Sequence, residues 1–189
     1  IKQAPRKAHP GMIGDSGNYE IELKILADVG LVGLPNAGKS TLLSVISSAR
    51  PKIADYPFTT LEPQLGIVKY GEYNSFVMAD IPGLIKGASD GKGLGHKFLK
   101  HIERNRIHLY LIDCQESKPL ETFEILKNEL NSFNRDLVDK PFLICRTKSD
   151  LNIEYSDGWG NFDEEILDIS SVNKDGLDLL VRSIADLLK

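Results

Sequence analysis

The run Gly33-Leu34-Pro35-Asn36-Ala37-Gly38-Lys39-Ser40 constrains this chain more than any other stretch of it. It fits the pattern G-x-x-x-x-G-K-[ST], which a chain of this composition matches by chance roughly once in a hundred. Its setting narrows the reading. Ile25 through Val32 is a nearly continuous apolar run, as expected of a strand covered on both faces, and a helical pattern runs from Lys39 to about Ser48. A glycine-rich turn between strand and helix can curl backbone N–H groups around phosphate oxygens, and the helix N-terminus adds a partial positive charge. Lys39 is expected to reach the outer phosphates and the Ser40 hydroxyl to ligate Mg²⁺. Thr41, next in the helix, completes the nucleotide-binding set expected here.

Strand-like and helix-like runs alternate through the rest of the chain. Leu65–Tyr70 and Ser75–Asp80 read as strands separated by Gly71-Glu72-Tyr73-Asn74, a gap short enough for a hairpin. Leu94–Arg106 reads as a helix, Ile107–Asp113 as a strand, and Leu120–Asn134 as an amphipathic helix. Phe142–Arg146 and Ile166–Ile169 read as strands. Gly176–Leu188 reads as a closing helix, with Leu177, Leu180, Val181, Ile184, Leu187 and Leu188 on one stripe. This alternation predicts an α/β fold with a mostly parallel six-stranded sheet and helices on both faces, the P-loop NTPase arrangement. The span 81–95, with glycines at 83, 87, 91, 93 and 95, reads as a mobile loop.

Composition sets the outer limits. With 189 residues the chain can bury about 70% of its unfolded surface. Hydrophobic residues at 41% and charged residues at 26% exclude a disordered chain, a collagen-like fibre and a disulfide scaffold. A net charge of −4 argues against a surface-wide basic footprint for nucleic acid. Cys114 and Cys145 sit in apolar runs and read as buried free thiols, which implies a reducing compartment. No apolar run approaches the roughly 18 residues of a membrane span. The expectation is a cytoplasmic protein, a monomer with no membrane span. Residues 1–24, rich in Gly, Pro and charge and ending in the alternating Tyr19-Glu20-Ile21-Glu22-Leu23-Lys24, are expected to be an N-terminal extension. The chain opens on Ile1, and that extension reads as the remnant of an upstream domain. Residues 25–189, which carry the phosphate loop, are expected to form the main domain.

Three further elements give the site its chemistry. The apolar strand Phe76-Val77-Met78-Ala79 ends in Asp80-Ile81-Pro82-Gly83. An Asp at the carboxyl end of a strand beside a phosphate loop can hold Mg²⁺, and Gly83 has no side chain to keep its N–H from a γ-phosphate. Thr147-Lys148-Ser149-Asp150 follows the strand 142–146. The Asp150 carboxylate can accept from guanine N1–H and N2–H₂. Adenine offers neither donor. Hydrogen bonds to a charged group are worth about 1.5–3 kcal/mol each, so two predict at least a hundredfold preference. The Lys148 stem could lie over the base plane. Ser170-Ser171-Val172 follows the strand 166–169, where its backbone could meet guanine O6.

Taken in order, these elements resemble a translation-factor-type GTPase G domain, and the longer matches resemble the Obg family. They are Leu26–Leu43, Pro51–Leu61 (with Asp55-Tyr56-Pro57-Phe58-Thr59-Thr60), Asp80–Ile85, and Gly91-Lys92-Gly93-Leu94-Gly95-His96 through Arg104. The resemblance covers residues 1–189, with Ala4-Pro5-Arg6 resembling the exit of that family's glycine-rich N-terminal domain. It implies that Thr60 is the switch I threonine closing on Mg²⁺ and the γ-phosphate, with Phe58 and Thr59 beside it in the nucleotide-binding set. It implies that Asp80, Ile81, Pro82 and Gly83 are switch II, and that Lys39, Thr60 and Gly83 are the catalytic group. Asn36 matches a phosphate-loop asparagine that binds K⁺ in related GTPases. There the ion supplies the charge that an arginine finger, worth about 10³–10⁵ in rate, supplies elsewhere. The resemblance further implies GTP and GDP as ligands, and a role with the large ribosomal subunit or its RNA, in its assembly and in stress signalling.

The chain departs from the common pattern twice. Leu84 stands where Ras-like proteins carry a water-orienting glutamine, a position that is apolar in the wider Obg group too, and Thr147 replaces the asparagine of N-K-x-D, so that the amide contact to the base and phosphate loop is lost or replaced by a hydroxyl. The leading expectation is GTP + H₂O → GDP + phosphate with Mg²⁺, slow when alone. The alternative is a nucleotide-gated binding module with negligible hydrolysis. A P-loop kinase or ATPase is a third reading, against which Asp150 argues. His9, His96, His101 and His108 show no metal-ligand spacing, and Trp159 carries no evident chemistry.

Overall fold

The computed structural model describes residues 11, 12, 14, 16–18, 27–53, 63–80, 105–151 and 157–189. Among these residues seven strands form one sheet: β1 (Val29–Gly33), β2 (Lys52–Ile53), β3 (Gln64–Tyr70), β4 (Asn74–Asp80), β5 (Ile107–Asp113), β6 (Phe142–Thr147) and β7 (Ile166–Asp168). Their spatial order is β2-β3-β4-β1-β5-β6-β7. The pairs β4/β1, β1/β5, β5/β6 and β6/β7 are parallel, and the hairpin β3/β4 is antiparallel. The expected six-stranded, mostly parallel sheet is thus present, extended at one edge by the two residues of β2 against Gln64 and Leu65. Because β1, β4, β5 and β6 run the same way, their carboxyl ends share one edge of the sheet, where ligands of open α/β folds bind.

Among the described residues, three helices cover the sheet: α1 (Lys39–Ile46), α2 (Pro119–Phe133) and α3 (Leu177–Leu187). Strand side chains alternate between two cores, as the period of two requires. Val29, Leu31, Leu109 and Leu111 pack with Leu42 and Leu43 of α1 and with Leu180 and Ile184 of α3. Val32, Tyr110 and Ile112 pack on the other face with Phe123, Leu126 and Leu130 of α2. Trp159, in the 3₁₀ turn Asp157–Asn161, is buried in this second core and stacks on Phe162. It is a packing residue.

Local chemistry sets the element boundaries. Among the described residues, which resume at Ala27, β1 begins at Val29. Asp28 bends the chain there, its carboxylate accepting from Val77 N at 2.9 Å and its carbonyl from Arg106 N at 2.8 Å. α2 opens on Pro119, whose missing N–H costs nothing in a first turn. α3 starts from Gly176 at φ +71°, a left-handed conformation that favours glycine. The expected helix at 94–106 lies outside the described residues apart from Asn105 and Arg106, and the expected loop 81–95 and strand 19–24 lie outside them entirely. Among the described residues, no helix is long and apolar enough to cross a membrane. Cys114 and Cys145 are free and buried, as expected.

Candidate nucleotide site

The phosphate loop leaves β1 at Gly33 and enters α1 at Lys39. Gly33 is held by the neighbouring strand: a Cβ there would lie 2.6 Å from the Leu111 carbonyl oxygen of β5. Asn36 and Gly38 both take left-handed conformations, φ +65° and +94°. Gly38 is the N-cap of α1, and among the described residues no side chain caps that end. The first amides of the helix therefore face the loop without a side-chain acceptor, the local arrangement that favours an anion. Pro35 and Asn36 are exposed, and Ala37 is buried.

Lys39 folds over this loop, its Nζ donating to Gly33 O at 2.8 Å and Leu34 O at 2.9 Å. Burial lowers its pKa and the Asp80 carboxylate opposes that shift. Asp80 closes β4, one strand over from β1 and opposite Leu31. It is 3% exposed, its Oδ2 accepts from the Ser40 hydroxyl, and its Oδ1 has no partner among the described residues. A buried carboxylate oxygen short of a donor, beside a hydroxyl, is a hard-oxygen donor pair of the kind Mg²⁺ takes. The residues present fit that ion.

The base-side elements converge from β5, β6 and the turn after β7. Thr147 ends β6 and is 4% exposed. Its Oγ1 donates toward Ala37 O at 2.9 Å, with Ile112 O at 3.2 Å. The Thr147 hydroxyl thus takes the place of the N-K-x-D amide as a tether to the phosphate loop. Asp150 lies in the 3₁₀ turn Ser149–Leu151, and its Oδ1 accepts from the Ser170 hydroxyl at 2.6 Å. Ser170 is fully buried and also accepts from Asn173 N at 3.0 Å. Its side chain therefore orients a carboxylate, a role its backbone-only expectation missed. Ser171 is half-buried and Val172 is 75% exposed.

Lys148, at φ +58°, sends its Nζ to Asp113 Oδ2 at 2.5 Å. Asp113 escaped the sequence reading, although it carries the same signal as Asp80, an acid closing an apolar strand. Gly33, Leu34, Ala37, Gly38, Lys39, Ser40 and Asp80 are brought together, as are Thr147, Lys148, Asp150 and Ser170. The Thr147–Ala37 bond joins the two groups. Thr41 lies exposed on the first turn of α1. Phe58, Thr59, Thr60, Ile81, Pro82, Gly83 and Leu84 lie outside the described residues.

Comparison with known proteins agrees with this geometry. A family model described as 50S ribosome-binding GTPase matches residues 28–148. The chain is 52% identical to the GTPase Obg of Finegoldia magna over all of its own length and 46% of that protein's. It is 53% identical to the GTPase Obg of Thermodesulfovibrio yellowstonii, over 97% of this chain and 57% of that protein. The chain thus spans about half the length of these curated relatives. Among solved structures it superposes on the Era protein of Aquifex aeolicus bound to GDP·AlF₄⁻ with TM-score 0.61 and 25% identity, covering 87% of this chain and 57% of that one. The G domain of the T. maritima FeoB iron transporter matches with TM-score 0.63 and 20% identity, over 85% of this chain and 98% of that one, a likeness of fold.

Proposed function

Because the chain belongs to the 50S ribosome-binding GTPase family, and within it to the Obg group, we propose that it binds GTP and hydrolyses it to GDP and phosphate with Mg²⁺. The observation that carries this reading is the Asp80–Ser40 contact beside an uncapped helix N-terminus. The amides at Gly38 and the start of α1 receive the phosphate oxygens. Lys39 exchanges its two loop carbonyls for phosphate oxygens of higher charge, a stronger hydrogen bond. Ser40 and Asp80 hold Mg²⁺, which supplies charge stabilisation on the phosphates. Thr60 and Gly83 are assigned to the γ-phosphate by family resemblance, and Asn36 to a K⁺ ion in place of an arginine finger. Asp150, oriented by Ser170, accepts from N1–H and N2–H₂ of guanine.

Phe58, Thr59, Ile81 and Pro82, next to Thr60 and Gly83 in the sequence, complete the nucleotide-binding set that the family resemblance implies. We assign residues 1–24 to an extension and 25–189 to the GTP-binding domain, acting as a slow, cytoplasmic, monomeric switch. Its partner is the large ribosomal subunit or its RNA, in assembly and stress signalling. The test is multiple-turnover phosphate release by the purified chain with Mg²⁺, in KCl and in NaCl, alongside Asn36→Ala. Turnover with GTP but not ATP, faster in KCl and no faster in the variant, is the expected result. No release above background in either salt would leave a nucleotide-gated binding module. Equal rates in the two salts would remove the K⁺ role of Asn36.

A further inference from the structure

The geometry points to the dipeptide Asp113-Cys114, at the end of β5, as a clamp that places the Asp150 carboxylate and so sets the preference for a base bearing a 2-amino group. This rests on the guanine reading of the site. It concerns two residues that no part of that reading uses.

The contacts of the clamp converge on Lys148. It is one of three non-glycine residues at positive φ among the described residues, and the other two lie in exposed turns. An L-residue held there is strained by roughly 1–2 kcal/mol, so its surroundings must over-determine it. Three contacts from two consecutive residues do so. Asp113 Oδ2 pairs with Lys148 Nζ at 2.5 Å, and Cys114 Sγ donates to Lys148 O at 3.2 Å. The Cys114 amide donates to Thr147 O at 3.0 Å. Asp113 is itself fixed through its other oxygen, which accepts from Gln115 N at 3.0 Å. The β5–β6 register sets Asp113 opposite Thr147, so the clamp is built on paired strands rather than on a loop.

What the clamp holds is the turn that carries Asp150. Leu151 N bonds back to Lys148 O at 3.0 Å, closing that turn on the same carbonyl the thiol reaches. A rotation at Lys148 would therefore carry Asp150 with it and stretch its bond to Ser170. Cys114 is suited to the part. It is 4% exposed, and burial together with the Asp113 carboxylate pushes its thiol up, so it remains a protonated donor at neutral pH. Asp113 and Cys114 are positioning residues, since the base is met by Asp150.

The test compares GDP, IDP and ADP binding, by calorimetry, to the whole chain and to Asp113→Asn, Cys114→Ala and Cys114→Ser. IDP lacks the 2-amino group and reports one of the two bonds to Asp150. The unaltered chain is expected to prefer GDP over both. In Asp113→Asn the GDP/IDP ratio is expected to fall roughly tenfold, the scale of one hydrogen bond to a charged group. Cys114→Ala is expected to lower the ratio and Cys114→Ser, which keeps a donor, to hold it. A residue that serves stability alone would weaken GDP and IDP together and leave the ratio unmoved. An unmoved ratio in Asp113→Asn and Cys114→Ala overturns the clamp. A chain that binds GDP no better than ADP overturns the guanine reading itself. Should Asp113→Asn fail to fold, Asp113→Glu and the two Cys114 variants carry the same comparison.

Discussion

The hydroxyl of Thr147 lies 2.9 Å from the carbonyl oxygen of Ala37, across 110 residues of sequence. Both residues are buried, and the bond ties the base-side segment at the end of β6 to the phosphate loop after β1. Thr147→Val keeps shape and volume and leaves the Ala37 carbonyl without this donor. The expected cost is about 1–3 kcal/mol of stability, read from urea melts of the nucleotide-free chain. GDP affinity is expected to fall with it, because both halves of the site share the bond.

Gly33 is fixed by its neighbour rather than by its own conformation. A Cβ at Gly33 would press on the Leu111 carbonyl at 2.6 Å, and that oxygen belongs to a paired strand that cannot give way. Gly33→Ala is expected to cost more than about 1 kcal/mol and to weaken nucleotide binding. Thermal melts with and without GDP separate the two effects: a lowered midpoint in both, with a smaller shift on adding GDP.

His108 makes stability depend on pH. It is 1% exposed, and burial first, then the Lys140 cation, pushes its pKa down to about 4, against the opposing bond to the Leu137 backbone. The unfolded chain, with an ordinary histidine, binds the extra proton below about pH 6.5. Stability is therefore complete above that pH and falls between about 6.5 and 4, by about 3 kcal/mol at the limit. Urea melts at pH 7.5, 6.0 and 5.0 should show this decline. His108→Gln should flatten it, and an equally steep decline in that variant would show that other groups are responsible.

Asp80→Asn keeps the shape of the side chain and removes a buried charge whose Oδ1 has no partner among the described residues. The nucleotide-free chain is expected to lose no stability, because the desolvated carboxylate is costly there. The Mg²⁺ concentration needed for half-maximal GTP turnover is expected to rise at least tenfold. A melt lowered by several degrees, with unchanged Mg²⁺ demand, would mark Asp80 as a structural acid.

The parts of the site that were legible in the sequence are those with fixed spacing along the chain. Gly33 to Ser40 is one continuous segment, and an acid closing an apolar strand pointed to Asp80. Asp113 carries that same signal and was passed over, because its partner Lys148 is 35 residues away and no local pattern links them. Ser170 was assigned a backbone contact, whereas its hydroxyl holds Asp150. Side-chain roles of that kind depend on which turns come together at the sheet edge. Trp159 gave no signal, since a lone aromatic among glycines reads as surface and only the packing of α2 against β5 encloses it.

Local sequence determined the periods of apolar residues, the glycine turn and the helix starts, because those follow from backbone sterics and from which residues can face water. It determined the family for the same reason, since the matching segments are contiguous. The tertiary structure decided the register that sets Asp113 beside Thr147 and Leu31 beside Asp80. It also decided that a threonine hydroxyl could serve as the tether to Ala37. Register and reach depend on strand pairing between distant segments, whose geometry is fixed only when the two cores pack.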